Sequence, residues 1–584
     1  MTRTIVLCLT AVSFASAQLY QPAETGLPAL PSNIVQPALP QEAIAIVYPT
    51  VTGHSTAVHA GGDLQAVLNG ASCGDEIVLD SGATYSGNFS IPAKNCAGWI
   101  LVRSVSILSL PSGVRVSQSQ ASLLPTVMTM NSQSVLGFEH GTSNWYFAGI
   151  NFTVEHGVQG LWNLIALDGD ATSVAQLPHN IVFDRVLVHG NDQYCVRGFL
   201  ANAASFVLVN SQVYDFNHNG QDTQAVLAYN SPGPFLIANN YLEATGENIM
   251  FGGGGVPTIK GVIPSDIMVV RNNLAKLSNW YHEPAPCGGA GQTQCYDIKN
   301  NFECKSCQRV LVDSNLMSYG VAQGQGECAI VNIFSGFSAN DITFSNNLCQ
   351  HTAQGFALNG YSAAATQRVM LRNNLFVDVS PTWGGGRCYS ISGPSSNVTI
   401  DHNTCINTGP AAFLGDSPPS SNVGFSYTNN IVGGPLNADG DNPLMVVQNF
   451  SAGSSVAYDV FVGDVWPQGC VGCNPQGPAY PAANHFFEAT STATPAGDTA
   501  PCNYPAGLSA ACIPLNWALV GMIDYAGGAA GTDLPGLALA PTSPYHNAGG
   551  DGSDIGANIT YVLAAVREAR SPRGRQPIVR PLTH

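Results

Sequence analysis

Charge is what this sequence has least of. Only 10% of its 584 residues are charged, with 20 Lys and Arg against 37 Asp and Glu and a net charge of -17. Surface helices need a broad polar face, so helical layers are a poor match to this composition. A general basic footprint for nucleic acid is absent. The same acidity repels a polyanion unless a local basic patch overrides it. Beyond the N-terminus no apolar run reaches membrane-spanning length, so no membrane span is expected. What is plentiful is Gly, at 62, and Pro, at 37, the residues of turns between short strands.

The first residues carry Arg3, an apolar stretch Ile5-Val6-Leu7-Cys8-Leu9 and then Ala15-Ser16-Ala17. That order predicts a secretory signal over residues 1–17, with the mature chain outside the cytoplasm. Residues 18–55, rich in Pro, Ala and Gln, are expected to be a linker. Of 16 Cys, Cys8 would leave with the signal, so 15 remain in an oxidising compartment. Local pairs are expected at Cys73 with Cys96, Cys287 with Cys295, Cys470 with Cys473 and Cys502 with Cys512, and Cys304 lies close to Cys307. Secreted disulfides outweigh zinc here, because no ligand pairs stand at zinc spacing.

From Phe235 to Asn430 the chain repeats one phrase, an apolar strand followed by Asn. It occurs at Asn240, Asn273, Asn315, Asn347, Asn374, Asn403 and Asn430, by subtraction 33, 42, 32, 27, 29 and 27 residues apart. Looser versions stand at Ser211 and Arg185. A period in the upper twenties with β-branched strands predicts a solenoid. Each Asn can sit at a bend, tolerate a left-handed backbone and bond the Asn of the next turn. The solenoid is expected over residues 56–434, with a short helix opened by Asp63 covering its first turn. Residues 435–557 read as a loop-rich extension over its C-terminal end or side. Residues 558–584, with Arg567, Arg570, Arg573, Arg575 and Arg580, read as a solvated basic tail. A monomer is expected. Cys349 and Cys405, two residues after a ladder Asn, are expected to be inward-packed thiols.

Gly62-Asp63-Leu64-Gln65 with Gly74-Asp75, Asn240-Tyr241-Leu242-Glu243 with Gly246-Glu247-Asn248, Lys299-Asn300-Asn301-Phe302 and Gly552-Ser553-Asp554-Ile555-Gly556-Ala557 together resemble the secreted bacterial right-handed parallel β-helix proteins of the pectate lyase superfamily. The resemblance runs from about Gly61 to Ala557. It implies an all-β, single-stranded right-handed parallel β-helix and a polysaccharide as substrate or ligand. The fold hosts lyases, hydrolases, esterases and non-enzymes, so it fixes no reaction. The Trp-Ile-Asp-His stretch of calcium pectate lyases survives only as Ile400-Asp401-His402-Asn403, which the Asn repeat explains. Their Arg-x-Pro-x-x-Arg letters occur at Arg575 to Arg580, outside the solenoid. The paired-Asp pattern of polygalacturonases is not found.

Solenoid side chains stand in columns across turns. Three residues after the ladder position come Tyr214, Glu243, Lys276, Ser318 and Gln350, which predicts an outward Glu243–Lys276 ion pair. On a second strand, aligning Asp297-Ile298-Lys299 with its neighbours predicts an outward row of Ala228, Gly252, Lys299, Asn332 and Asn359. Lys299 is then a lone cation, Asp297 faces the same way, and Gly252 to Gly255 let a polymer approach the backbone. The long insertion Tyr281 to Gln294 would wall the groove. For β-elimination from a uronate polymer, Lys299 is the first choice of base, its pKa lowered by Lys305 or Arg309, and His282 the second. Those cations, or a calcium ion held by Asp297, Glu247 or Glu283, would bind the carboxylate. A hydrolase would use Asp297 with Glu247 or Glu243. A non-catalytic polysaccharide-binding protein is the third reading, and each residue singled out also has a purely structural reading.

Overall fold

In the computed structural model, residues 21–42, 44, 47–191, 195–280, 296–321, 325–409, 413–416, 421–433, 436–438, 454–462 and 517–571 are described. They form a right-handed parallel β-helix built from three sheets of 15, 13 and 12 strands. Each coil places one strand in the first sheet, one in the second and one in the third. Phe235–Ala238, Tyr241–Ala244 and Glu247–Phe251 make one such coil. Every strand pairs in parallel with its counterpart one coil away, as Phe235 does with Ile267.

The bend between the first and second sheets explains the repeat. Two residues share the work there. The first takes a left-handed backbone, as at Asn239 (φ 56°), Arg271 (φ 56°), Ser314 (φ 61°), Asn346 (φ 53°), Asn373 (φ 57°), His402 (φ 50°) and Asn429 (φ 58°). Asn tolerates that conformation better than most residues. The second turns inward. Asn315 accepts from the Asn272 backbone N–H at 2.8 Å and its amide at 3.1 Å, and donates to Asn347 Oδ1 at 3.1 Å. The same pattern links Asn240, Asn272, Asn315, Asn347, Asn374, Asn403 and Asn430, and ends on Asp459.

The ladder residue in the second phrase is therefore Asn272, not Asn273, and the first two spacings are 32 and 43. The slip has a consequence. A one-residue shift moves a side chain to the other face of a strand. Ala275, not Lys276, stands beside Glu243 in the second sheet. The expected outward ion pair is replaced by a buried Lys276, 3% exposed. Its ammonium donates to the Ala244 carbonyl at 2.9 Å, the Thr245 carbonyl at 3.3 Å and the Gly246 carbonyl.

Helix Leu64–Gly70, capped by the Asp63 carboxylate on the Ala66 N–H, closes the first coil with Leu64 and Leu68. The core then runs continuously from Val58 to Val432. Residues 21–42 are not a free linker. The Ala23, Ala38 and Gln41 N–H groups donate to Asp313, Asp341 and Asp266 on the first sheet, and Arg372 donates to the Pro28 carbonyl at 2.5 Å. The described part of the C-terminal region lies against the side of the solenoid. Leu534, Leu537, Ile559, Val562 and Val566 pack on Leu348, Leu375, Val377 and Ile406 of the second sheet. The start of the basic stretch is likewise docked, as helices Ile559–Ala565 and Arg567–Arg570.

Disulfides join Cys73 to Cys96 and Cys304 to Cys307. Cys349 and Cys405 are not thiols, because each is bridged from the second sheet to a cysteine of the third, Cys328 and Cys388. The expected pairs involving Cys287, Cys295, Cys470, Cys473, Cys502 and Cys512 lie outside the described residues, as does the predicted signal. Among the described residues no helix is long and apolar enough to cross a membrane.

Candidate active site

The outer face of the third sheet gathers several of the expected site residues. Its outward rows follow from the pairing. One row runs Arg197, Gln224, Glu247 and, further on, Glu327 and Gln354. The next runs Leu200, Leu227, Met250, Glu303, Ile330 and Ala357, so Glu303 is the one acid in an apolar row. Continuing the same register places Lys305 beside Asn332, which pairs with Asn359.

Hydrogen bonds tie these rows together. Arg197 donates to Gln224 at 2.6 Å, and Gln224 donates to Glu247 at 2.7 Å. Lys299 bonds Asp222 at 2.8 Å and lies 3.6 Å from Glu247 Oε1. Lys305 lies 3.5 Å from Glu303 Oε1, while Asn332 and Asn300 donate to Glu303 at 3.3 Å and 3.2 Å. Asn359 extends the chain by donating to Asn332 at 3.3 Å.

Two carboxyls meet in the middle. Glu247 and Glu303 are both fully buried. Burial, then the nearby Glu247 charge, pushes Glu303 up to about 7. Among the described residues no hydrogen-bond donor reaches Glu247 Oε1, whose nearest cation is Lys299 at 3.6 Å, and the Glu303 carboxyl lies close enough to interact with Glu247. Glu327, one coil on, is also pushed up to about 7 by burial.

The geometry corrects several expectations. Asp297, Ile298 and Lys299 are not the third-sheet strand of their coil; Phe302–Cys304 is. Lys305 therefore occupies the row position expected for Lys299, which sits just before the strand with its N–H on the Thr245 carbonyl. The neighbours of Lys299 are carboxylates rather than cations. Although burial opposes it, Glu247 and Asp222 raise its pKa, so it stays charged and is no base at neutral pH. Arg309 is on the first sheet, paired with Asp266 at 2.7 Å and 2.8 Å. Glu243 is in the second sheet, bonded by Tyr241 at 2.5 Å. Asp297 accepts from the Gly220 N–H at 2.5 Å. His282, Glu283 and the expected groove wall lie outside the described residues.

The glycines do not form an open floor. A Cβ on Gly253 would meet the Lys305 side chain, one on Gly254 would meet Leu227, and one on Gly255 would meet Tyr229. The segment thus packs down over the face. Calcium takes six to eight oxygens, and the described acids are already engaged, while Glu283 lies outside the described residues. Glu247 and Glu303 face ammonium groups, and Asp297 is already held by a backbone donor.

Elsewhere, Ser553 Oγ lies 2.9 Å from His402 Nε2, and His402 Nδ1 lies 2.9 Å from Asp401. These are triad distances. Yet Ser553 places its hydroxyl 2.7 Å and its N–H 3.0 Å from Asp551 Oδ1, and Asp401 also holds Arg372, Thr428 and Asn429. The set ties the C-terminal turn to the ladder.

The residues missed from sequence are Glu303, Asp222, Arg197, Gln224 and Glu327. A usable signal existed for one of them: Glu303 precedes Cys304, which aligns with the inward Val331 and Leu358.

No family model matches the sequence, and no curated protein matches it. Among solved structures, the chain is similar to an alginate lyase from Paenibacillus sp. str. FPU-7, at 12% identity over 63% of this chain and 97% of that one, with a TM-score of 0.31. It is similar to the catalytic unit of a thermostable GH87 alpha-1,3-glucanase from Streptomyces thermodiastaticus strain HF3-3, at 12% identity over 73% and 68%, with a TM-score of 0.40. It is also similar to a pectate lyase, at 12% identity over 86% and 96%, with a TM-score of 0.28. At such identity nothing about this chain's reaction follows from the likeness.

Proposed function

We propose that this is a secreted polysaccharide lyase that cleaves a uronate-containing polymer by β-elimination at the outer face of the third sheet. The observation that carries the reading is a pair of fully buried carboxyls, Glu247 and Glu303, flanked by Lys299 at 3.6 Å and Lys305 at 3.5 Å, in which burial and the Glu247 charge push Glu303 up to about 7. Elimination needs a proton acceptor matched to neutral pH and fixed positive charge for the carboxylate beside the departing proton. Glu303 fills the first role and the two lysines the second. Hydrolysis fits less well, because its two carboxyls stand about 5 to 9.5 Å apart, further than carboxyls in direct interaction. Lys299 and Lys305 are partly exposed, and the Gly252 to Gly255 segment over Lys305 must lift for Glu303 to meet substrate. Secretion is supported by the disulfides and by the apolar N-terminal stretch.

The test is incubation of the secreted protein with a panel of uronate polymers. Ultraviolet absorbance from an unsaturated product is the expected result. Reducing ends without that absorbance would mean hydrolysis, and retention without cleavage would mean a binding protein; either sinks the lyase reading.

A further inference from the structure

The turns that follow two adjacent third-sheet strands, Leu136–Phe138 and Asn163–Ala166, bring together His140, Asp168 and Asp170. They stand outside the Glu247–Glu303 face. His140 Nε2 lies 3.3 Å from Asp168 Oδ2 and 3.0 Å from Asp170 Oδ1, and the three ligand atoms all fall within 4.8 Å of one another.

Asp168 is the informative member. Its side chain is 1% exposed. One oxygen, Oδ1, accepts from the Asp170 N–H at 2.9 Å and the Ala171 N–H at 2.7 Å, which fixes the plane of the carboxylate. The other, Oδ2, is buried, has no hydrogen-bond partner among the described residues and is aimed at His140, whose Nε2 stands 3.3 Å away. A buried carboxylate oxygen left in this way costs free energy unless something positive meets it. Asp170 and His140 are 88% and 42% exposed, so the cluster is closed on the Asp168 side and open on the other.

We propose that His140, Asp168 and Asp170 form a three-ligand site for a divalent transition metal of the zinc class, with its remaining position open to water or to a ligand. The donor set of one imidazole nitrogen and two carboxylate oxygens suits zinc rather than calcium, which takes oxygens alone. The spacing agrees. Metal–ligand bonds of about 2.0 Å in a tetrahedron put neighbouring ligand atoms about 3.3 Å apart. The two distances from His140 Nε2 lie close to that edge length. The alternative is an ion pair in which a protonated His140 bridges the two acids, and it predicts no metal uptake.

The full-length protein, freed of metal by chelator and dialysed, is titrated calorimetrically with zinc chloride alone at neutral pH. One equivalent is expected to bind with release of heat and to raise the melting temperature. His140→Ala is expected to lose this equivalent, and Asp170→Asn, at the exposed edge, to weaken it at least about tenfold. Both positions are exposed enough to leave the fold intact, which the circular dichroism of the variants checks. No saturable zinc uptake by the native protein overturns the proposal. So does uptake that both variants retain, or a preference for calcium chloride over zinc in the same titration.

Discussion

Glu303 is a single acid in a row otherwise made of Leu200, Leu227, Met250, Ile330 and Ala357. That placement keeps it protonated up to about pH 7. As a proton acceptor it works only when ionised, so activity is expected to rise through about pH 7 and level off above it. Glu303→Gln keeps the shape and one of the two amide hydrogen bonds, because Asn332 and Asn300 donate to different oxygens, and it loses the base. We expect its kcat to fall about 10²- to 10⁴-fold with the melting curve nearly unchanged. Full activity in this variant would remove Glu303 from the mechanism.

Lys276 has a different origin of perturbation. Burial pushes its pKa down to about 7, against the pull of Glu247 and Glu243. Between pH 7 and the ordinary lysine range the unfolded chain binds the extra proton, so native stability rises with pH across that window. Lys276→Met strands three carbonyls and removes the titration. We expect a loss of about 1 to 3 kcal/mol near pH 9 that narrows as pH falls towards 7, read from urea unfolding at several pH values. A deficit independent of pH would contradict the depressed pKa of Lys276.

At the level of elements, the ladder is where sequence and structure agree most closely. The repeated Asn after an apolar strand gave the coil length, the bend and the inter-turn bonding, because one side chain must satisfy the same buried backbone groups in every coil. Asn347 shows the load: it bonds the Val312 carbonyl, Asn374 Oδ1, and both the N–H and the amide of Asn315. Asn347→Leu fills the space and leaves these groups without partners. A loss of about 2 to 4 kcal/mol is expected, seen as faster hydrogen exchange at the Asn315 N–H and its neighbouring coils. Exchange unchanged at Asn315 would mean the amides are passengers.

What the sequence hid has equally specific causes. Asn272 and Asn273 are identical letters, so nothing marked which one faced inward, and Lys276 went to the wrong face with them. The long coil holding Tyr281 to Gln294 displaced the third strand, so Lys299 was aligned where Lys305 belongs. The cysteine pairs across sheets, 21 and 17 residues apart, follow from coil geometry that no local spacing displays.

For the whole molecule, the N-terminal segment changes how the solenoid's flank is understood. Read by composition, residues 18–55 look like a spacer, yet backbone N–H groups from three points along residues 21–42 end on Asp313, Asp341 and Asp266. Leu39 and Ile44 cover an apolar strip that includes Leu236, Met268 and Leu311. Burial draws Asp266 and Asp341 upward, but Arg309, Arg368 and the strap's own N–H groups outweigh it and hold both carboxyls below the usual aspartate range. A depressed carboxyl contributes stability above its unfolded pKa and loses it as pH falls through the folded one. Asp313 is the exception, pushed up by burial. The Asp266 and Asp341 anchors therefore hold at neutral pH and release only in strong acid. Removing residues 18–44, and with them Leu39 and Ile44, should bare the strip, and such an apolar band on a sheet face is a contact surface for another copy. The truncated chain is expected to elute as oligomers on size exclusion at pH 7, while the intact chain begins to do so only below about pH 4, where aspartates protonate. If the truncated chain stays monomeric with unchanged exchange protection at residues 266–313, the strap covers nothing the solenoid needs.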